Sequence, residues 1–189
     1  NISTVYEHNF KWIKGQVMAK RAAEIAAAGM HNILLVGPPG TGKTAIAKAM
    51  KTILPEMSQN EKIEISKIQS IAGKLEGNLV GERPFRNPHH TTTVTAMTGG
   101  GINPKPGEMT MAHGGVLYMD EFTEFSRGVM EAMRQPLEDK KIVISRKGGT
   151  YSFPADFILL ASMNPCKCGY YPDRNKCSCT ERDVNKYLE

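Results

Sequence analysis

Short apolar runs alternate along this chain with segments of helical composition. The runs Asn32 to Val36, Gly115 to Met119 and Phe157 to Ala161 each have the length of a β-strand. Their continuous apolar character predicts buried strands, and the first is expected to be buried on both faces. Val17 to Gly29 and Lys43 to Leu54 are rich in good helix formers. The alternation predicts a three-layer α/β fold with a mainly parallel sheet.

Local signals mark where several helices begin and end. Gly29 is suited to cap the first helix at its C-terminus. Ser58 and Glu61, three residues apart, have the pattern of a capping box, and apolar residues continue at helical spacing to Leu75. A helix is therefore predicted there, and Arg127 to Glu138 also has helical composition.

Two segments have the composition of loops and hairpins. The stretch from Gly73 to Gly115 is rich in proline and glycine, and only Thr91 to Thr95 within it looks like a strand. Ile142 to Arg146 and Thr150 to Phe153 are predicted to form a hairpin, since the intervening Gly148-Gly149 suits the positive backbone angles of a tight turn.

Composition narrows the class of protein. With 189 residues, of which 40% are hydrophobic and 23% charged, the chain fits a single globular domain. Its apolar runs are far shorter than the roughly 20 residues that span a bilayer, so no membrane segment is expected. Asn1 to Phe10 has neither an initiator Met nor a signal pattern, which suggests a segment cut from a longer protein. A net charge of +5 permits nucleic-acid contact but is more often a solvated surface.

The segment between the first predicted strand and its following helix matches the phosphate-loop pattern. Its glycines let successive backbone N–H groups point at phosphate oxygens, and the helix N-terminus adds a positive dipole. The lysine is expected to neutralise phosphate charge and the final threonine to present its hydroxyl to Mg²⁺. The sequence therefore predicts ATP and Mg²⁺ binding by Gly37, Pro38, Pro39, Gly40, Thr41, Gly42, Lys43, Thr44 and the adjacent Ala45.

Three further polar residues follow predicted strands. Asp120 and Glu121 end an apolar strand, where ligands bind in open α/β sheets. Asp120 is expected to hold Mg²⁺ and Glu121 to polarise the attacking water, although alone such a pair is more often an exposed turn. Asn164 could hold the water or the γ-phosphate, or could be a simple turn residue before Pro165.

With these residues the chain resembles the AAA+ superfamily, and more closely the magnesium-chelatase-like ATPases of the ComM (YifB) type. The resemblance is carried by Gly15-Gln16, Ala26 to Asn32, Arg83 to Thr91, Pro106 to Glu108, Ala112-His113, Arg134 to Glu138 and Met163 to Cys166. It implies that Asn164 is the sensor 1 residue, on a strand between those of the phosphate loop and Asp120. It also implies a helix-2 insert near Gly99 to Gly107, a hairpin before sensor 1 and a cytoplasmic homo-hexameric ring. The implied work is ATP-driven DNA remodelling, namely branch migration during natural transformation.

The chain departs from this family pattern at its end. We interpret residues 1–189 as one nucleotide-binding core without the helical lid that carries sensor 2. The trans-acting arginine finger would also lie beyond Glu189. Because such a finger is worth roughly 10³-fold or more in phosphoryl transfer, this segment alone is expected to bind nucleotide but to hydrolyse it slowly.

All four cysteines lie within one short segment, predicted to be a cysteine-rich loop over residues 164–181. Four thiols so close together can surround one tetrahedral Zn²⁺ if the loop folds back. Free or oxidised thiols remain the alternative, because the two C-x-C spacings are less usual for zinc than C-x-x-C. The candidate ligands are Cys166, Cys168, Cys177 and Cys179.

Basic residues of the predicted hairpin are candidates for DNA contact. Lys141, Arg146 and Lys147 could reach phosphates in a central channel, whereas charge alone favours a solvated turn. The family resemblance favours the DNA interpretation. His89 and His90 have no acidic partner at ligand spacing, so a structural or pore-loop role is expected there rather than metal binding.

Three functions fit these observations. A DNA-remodelling ATPase motor is the first, and the ATPase subunit of a metal chelatase, which has the same core, is the second. A nucleotide-dependent switch that binds ATP without using hydrolysis is the third. Glu121 and Asn164 argue against the switch, since a switch needs no water-activating carboxylate beside the Mg²⁺ aspartate.

Overall fold

The computed structural model describes residues 9–101, 104–146 and 149–188. The α-helices are α1 (Val17–Gly29), α2 (Lys43–Met50), α3 (Gln59–Ile71), α4 (Val94–Thr98), α5 (Glu108–Met111), α6 (Arg127–Asp139) and α7 (Glu181–Leu188). The strands are β1 (Ile33–Val36), β2 (Phe85–Arg86), β3 (Gly99–Gly100), β4 (Lys105–Pro106), β5 (Val116–Met119), β6 (Lys141–Arg146), β7 (Gly149–Pro154) and β8 (Ile158–Met163). Within these ranges, no helix combines the length and the apolar character that crossing a membrane requires.

The central sheet has four parallel strands in the order β1-β8-β5-β2. This confirms the predicted parallel α/β fold, and β8 does lie between the strand before the phosphate loop and the strand before Asp120. Because the strands are parallel, the C-terminal ends of β1, β5 and β8 meet at one edge of the sheet. Val36 pairs with Met163, and Met119 with Ala161, so the residues that follow all three strands are neighbours.

Helices cover both faces of the sheet. On one face, α1 and α2 bury Ala26 and Ile46 against Tyr118 and Leu160. On the other face, α4, α5 and α6 contribute a methionine-rich cluster. It packs against Leu117 of β5 and Phe157, which directly precedes β8. The two clusters lie between the sheet and the helices on either side of it, which gives a three-layer arrangement.

The first strand is less buried than its apolar sequence suggests. Leu34 is 49% exposed and Val36 is 52% exposed, so the prediction of burial on both faces is wrong. Among the described residues β1 lies at the edge of the sheet, and the cluster under α4, α5 and α6 includes no residue of β1, so this face of the strand is left uncovered. Leu35, whose side chain points to the opposite face, is buried against α1 and α2.

The loop-like stretch contains more structure than predicted. Thr91 to Thr95 is not a strand, since Val94 begins α4 and the Thr93 hydroxyl accepts a hydrogen bond from the Ala96 amide as an N-terminal cap. Met97 is buried, so tertiary packing stabilises this short helix. Beyond it, β3 and β4 form a small antiparallel ribbon at the predicted helix-2 insert, and α5 was not predicted.

The predicted hairpin is present as β6 and β7, with Ile142 opposite Phe153. Gly149 pairs with Arg146 inside the ladder, so this glycine does not lie in the turn as predicted. Lys147 and Gly148 are outside the described residues.

Helix boundaries agree with the sequence at most ends. The capping box at Ser58 and Glu61 is present, although α3 ends at Ile71 rather than near Leu75. The predicted helix from Lys43 divides into α2 and a 3-10 turn. The cap of α1 is Met30, which adopts the left-handed conformation at φ 53°, and not Gly29.

Candidate functional site

The phosphate loop connects β1 to α2 at the C-terminal edge of the sheet. Gly40 and Gly42 have φ of 76° and 84°, values that a side chain would disfavour. Gly42 is also the N-cap of α2, and since it has no side chain it cannot cap the first-turn amides. These N–H groups therefore receive no side-chain cap from Gly42, and the first turn of a helix in this state favours an anion.

Lys43 connects the phosphate loop to the end of β8. Its Nζ donates hydrogen bonds to the carbonyl oxygens of Gly37 and Pro38, at 2.6 and 2.9 Å, and to Oδ1 of Asn164 at 3.2 Å. Burial lowers the pKa of Lys43, and the nearby carboxylate of Asp120 only partly offsets this effect. The geometry brings Lys43 and Asn164, which are 121 positions apart in sequence, to the same point.

Asp120 is held by several hydrogen-bond donors. The hydroxyl of Thr44 donates to its Oδ2 at 3.3 Å, and the amide of Glu121 donates to its Oδ1 at 3.1 Å. Ser162 also donates a short hydrogen bond to Oδ1. Burial acts to raise the pKa of Asp120, but the bonds from Ser162, Tyr118, Glu121 and Thr44 outweigh it and leave the pKa lowered. A hydroxyl and an ionised carboxylate side by side fit the oxygen ligands that Mg²⁺ prefers.

Two buried polar residues support this carboxylate and were missed in the sequence. The hydroxyl of Tyr118 lies 3.0 Å from Oγ of Ser162 and 3.4 Å from Oγ1 of Thr44. Both side chains are fully buried, and burial raises the pKa of Tyr118 to about 12. The available signal was a single polar group in each of two otherwise apolar strands, Val116–Met119 and Ile158–Met163.

Glu121 lies beside Asp120 but in a more open environment. Its backbone is left-handed, at φ 53° and ψ 51°, and its side chain is 60% exposed. Oε2 of Glu121 is 3.4 Å from Nδ1 of His90, so the histidine does have an acidic partner that sequence spacing could not reveal. A cavity of about 300 Å³ at this point is lined by Asn87, Pro88, His89, His90, Asp120 and Glu121.

Two of the predicted DNA-contact residues have a described backbone, and these two lie far apart along the hairpin. Lys141 and Arg146 are at opposite ends of the six-residue strand β6, and their backbones are therefore about 17 Å apart. Lys141 is exposed beside the base of the hairpin. Lys147 lies outside the described residues, and Ala45, the last predicted phosphate-loop residue, is exposed on α2.

The four cysteines do come together. The Sγ atoms of Cys166, Cys168 and Cys177 are 3.3 to 3.8 Å apart, and all four ligand atoms lie within 4.8 Å of one another. A tetrahedral zinc with Zn–S bonds of about 2.3 Å places its sulfurs about 3.8 Å apart, so the donor set fits this ion. Burial acts to raise the pKa of Cys166, but hydrogen bonds from the Tyr171 amide and neighbouring thiols lower it to about 6.

A family model and two curated relatives match most of this chain. The family model "Magnesium chelatase, subunit ChlI" matches residues 9–189. Protein YifB of Escherichia coli is 43% identical over 188 residues, which cover 99% of this chain and 37% of that protein. Competence protein ComM of Haemophilus influenzae is 50% identical over 160 residues, covering 84% of this chain and 31% of that protein. The chain thus spans about a third of the length of these relatives.

A solved structure agrees with the fold. A cryo-EM-based structure of the complex between the BchI and BchD subunits of magnesium chelatase superposes with a TM-score of 0.70 at 22% identity. The match covers 97% of this chain and 66% of that one. At this level of identity the likeness concerns the fold, and it confirms the α/β arrangement described above.

Proposed function

The chain belongs to the magnesium chelatase subunit ChlI family. On this premise we propose that it is an ATPase domain of the AAA+ type, which binds and hydrolyses ATP within a ring-forming DNA-remodelling motor of the cytoplasm. The main support for this proposal is that Lys43, Asp120 and Asn164 lie close together at one edge of the sheet. These groups come from three different strand ends, as an ATP site in an open α/β sheet requires.

Each group at the edge has a distinct part in the proposed reaction. The loop amides and Lys43 hold the β- and γ-phosphates, while Thr44 and Asp120 hold Mg²⁺, which supplies neutralisation of phosphate charge when bound. Glu121 accepts a proton from the attacking water, and Asn164 positions that water or the γ-phosphate. Tyr118 and Ser162, which contact Asp120 and Thr44, fix the orientation of the carboxylate.

The proposed motor works as a homo-hexamer on branched DNA. The relative from Haemophilus influenzae is named a competence protein, which supports a role in natural transformation. The solved BchI–BchD complex shows that subunits with this fold associate, which supports a ring. In the ring the β6–β7 hairpin, with Lys141, Arg146 and Lys147, is proposed to contact DNA phosphates during branch migration.

A second candidate is the ATPase subunit of a metal chelatase. The family description and the superposition on the BchI–BchD complex favour it. The greater identity to ComM and YifB and the cysteine cluster favour the motor. The two candidates differ in what stimulates turnover, which is DNA for the motor and a partner chelatase subunit for the alternative.

The cysteine cluster is proposed to bind one Zn²⁺ in the complete protein. The support is the separation of the four sulfurs, which matches a tetrahedral thiolate site. Elemental analysis of protein purified without chelators is expected to give one zinc per chain, and a protein without metal would contradict the assignment.

The test of the main proposal is the ATPase activity of the protein at its natural full length. We expect Mg²⁺-dependent turnover that branched DNA stimulates more than linear duplex of the same length and composition. ATP turnover that DNA does not change but that a chelatase partner subunit stimulates would support the second candidate. Nucleotide binding without turnover would support a nucleotide-dependent switch.

A further inference from the structure

The cysteine cluster and the phosphate loop are in direct contact. Gly169, which follows Cys168, is buried and has a φ of 89°. A Cβ added to Gly169 would lie 2.7 Å from Cδ of Pro39 and 3.8 Å from Cγ of Asn164. The backbone of the cysteine-rich loop therefore packs against one residue of the phosphate loop and beside a second residue of the nucleotide site.

The two sites are also connected through the chain. Asn164 directly follows β8 and precedes Cys166 by two positions. Its Oδ1 accepts a hydrogen bond from Lys43, so the first thiol and the phosphate-loop lysine are separated by only one short segment. A shift of the backbone at Cys166 would move the partner of Lys43.

Little apolar material holds the cysteine-rich loop in place. Its small core consists of Cys166, Cys177 and Val184 of α7, with Tyr171 partly buried beside them. A cluster this small does not bury enough apolar surface to fix a loop by itself, and in small units a bound metal commonly supplies the missing stabilisation. The position of Gly169 against Pro39 therefore depends on the metal ion or the disulfide bonds that connect the four cysteine sulfurs.

The surrounding charges suit a tetrathiolate metal centre. One Zn²⁺ with four thiolates carries a net charge of about −2. Within the same loop, the three positive charges of Lys167, Arg174 and Lys176 exceed the two negative charges of Asp173 and Glu181. The guanidinium of Arg174 also donates a hydrogen bond to the carbonyl oxygen of Cys179 at 2.9 Å, which holds one of these charges next to a sulfur ligand.

We propose that a zinc centre at Cys166, Cys168, Cys177 and Cys179 supports the phosphate loop through the contact between Gly169 and Pro39, so that nucleotide affinity depends on metal occupancy. This inference rests on the proposed function, in which that loop binds ATP. On this proposal the cysteine-rich loop positions the nucleotide site, and its metal centre does more than stabilise the loop itself.

The experiment measures zinc content and the Kd for Mg²⁺-ADP in the protein at its natural full length. Removing zinc with a chelator that spares Mg²⁺ is expected to raise the Kd about tenfold, and adding zinc back is expected to restore it. The variant Gly169→Ala keeps all four thiols, so it should retain one zinc per chain and still show a comparably raised Kd.

Gly77→Ala is the matched control. Gly77 has a φ of 80°, close to that of Gly169, but an added Cβ there meets nothing within 4 Å. The variant introduces the same backbone strain without the contact, and its Kd should equal that of the unmodified protein. A raised Kd in Gly169→Ala but not in Gly77→Ala would isolate the contact with Pro39.

Three results would overturn the proposal. A Kd that changes less than about twofold both on zinc removal and in zinc-loaded Gly169→Ala would reduce the cluster to a local staple. Nucleotide binding by a protein that holds disulfides instead of zinc would exclude the metal centre but leave the proposed ATPase intact. A zinc-loaded protein that binds no nucleotide would instead remove the proposed function, and this inference with it.

Discussion

The carboxyl edge of the sheet and the β6–β7 hairpin carry their predicted functional residues in different ways. At the sheet edge, Lys43, Asp120 and Asn164 are partly buried. Lys43 bonds to Asn164, and Asp120 beside them accepts bonds from Thr44 and Ser162. Along the hairpin, most described side chains of β7 are exposed, and β6 and β7 form a separate two-stranded sheet. One region fixes the positions of its groups, whereas in the other the described residue Lys141 is exposed to solvent.

The difference between the two regions fits the function proposed for each of them. Transfer of a phosphoryl group depends on preorganised charges at short, fixed distances, which a buried network provides. Contact with a polyanion depends on reach and net charge and tolerates small displacements. Substitutions at the sheet edge should therefore have large and specific effects, whereas those in the hairpin should have smaller, salt-dependent effects.

The largest effect is expected at Glu121. Replacing it with Gln keeps the shape of the side chain but removes the carboxylate that would accept a proton, so turnover should fall about 10²- to 10⁴-fold. ATP affinity should be retained, since Asp120 and Lys43 are untouched. Steady-state ATPase assays with parallel binding measurements test this, and undiminished turnover would remove Glu121 from the catalytic role.

A somewhat smaller effect is expected for Lys43→Ala. Loss of the ammonium group should weaken ATP binding about 100-fold, in keeping with the 1.5–3 kcal/mol of a charged hydrogen bond. Calorimetric titration with Mg²⁺-ATP measures this loss. Lys48→Ala, on the exposed side of the same helix, is the control and should bind as the unmodified protein does. Equal affinities in the two variants would contradict the phosphate-loop assignment.

The third prediction tests whether buried neighbours fix Asp120. Ser162→Ala removes a donor and leaves Tyr118 without one of its partners, so the free energy of unfolding should fall by about 1–3 kcal/mol. Ser145→Ala, at an exposed position of the hairpin, is the control and should change it by less than about 0.5 kcal/mol. Denaturant unfolding of both variants measures the difference, and equal losses would show that Ser162 is only a packing residue.

The same variant has a pH signature. The pKa of Asp120 is lowered in the folded protein, so its ionised form contributes stability above the unfolded pKa of about 3.9. That contribution is lost as the pH falls through the lower folded pKa. Because Ser162 supplies part of the lowering, the gap in stability between the variant and the unmodified protein should narrow in acid.

The smallest effect on the ATP site is expected from the hairpin. Replacing Arg146 and Lys147 with Glu should weaken DNA binding and flatten its dependence on salt by about one unit of slope for each lost phosphate contact. ATP affinity should not change. Lys67→Glu with Lys74→Glu, at exposed positions in and after α3, carries the same change of charge. If both double variants bind DNA equally well, the hairpin has no special role.

The sequence predicts well the structural features that depend on residues close together along the chain. The phosphate loop follows an apolar strand, and the capping box at Ser58 and Glu61 lies within four positions, so both are visible in the printed sequence. The fold class follows from the same local alternation. These features need no knowledge of which strand lies next to which.

What the sequence does not predict depends on strand order and register. Leu34 is exposed because β1 is at the edge of the described sheet, and a run of apolar residues does not carry that information. Ser162 meets Tyr118 and Asp120 only because β8 pairs with β5 in one register. Thr93 caps a helix instead of joining a strand because Met97 is buried in the core, so packing overrides the preference of a threonine-rich segment for strand.

The left-handed backbone of Glu121 has a consequence for anyone who engineers this domain for heat resistance. A residue with a Cβ in that conformation costs roughly 1–2 kcal/mol compared with glycine. Replacing Glu121 with Gly or Asn should thus raise the melting temperature, and a screen that selects only for stability would favour those substitutions. If Glu121 has its proposed role, such a screen would enrich proteins that survive heating but turn over ATP far more slowly.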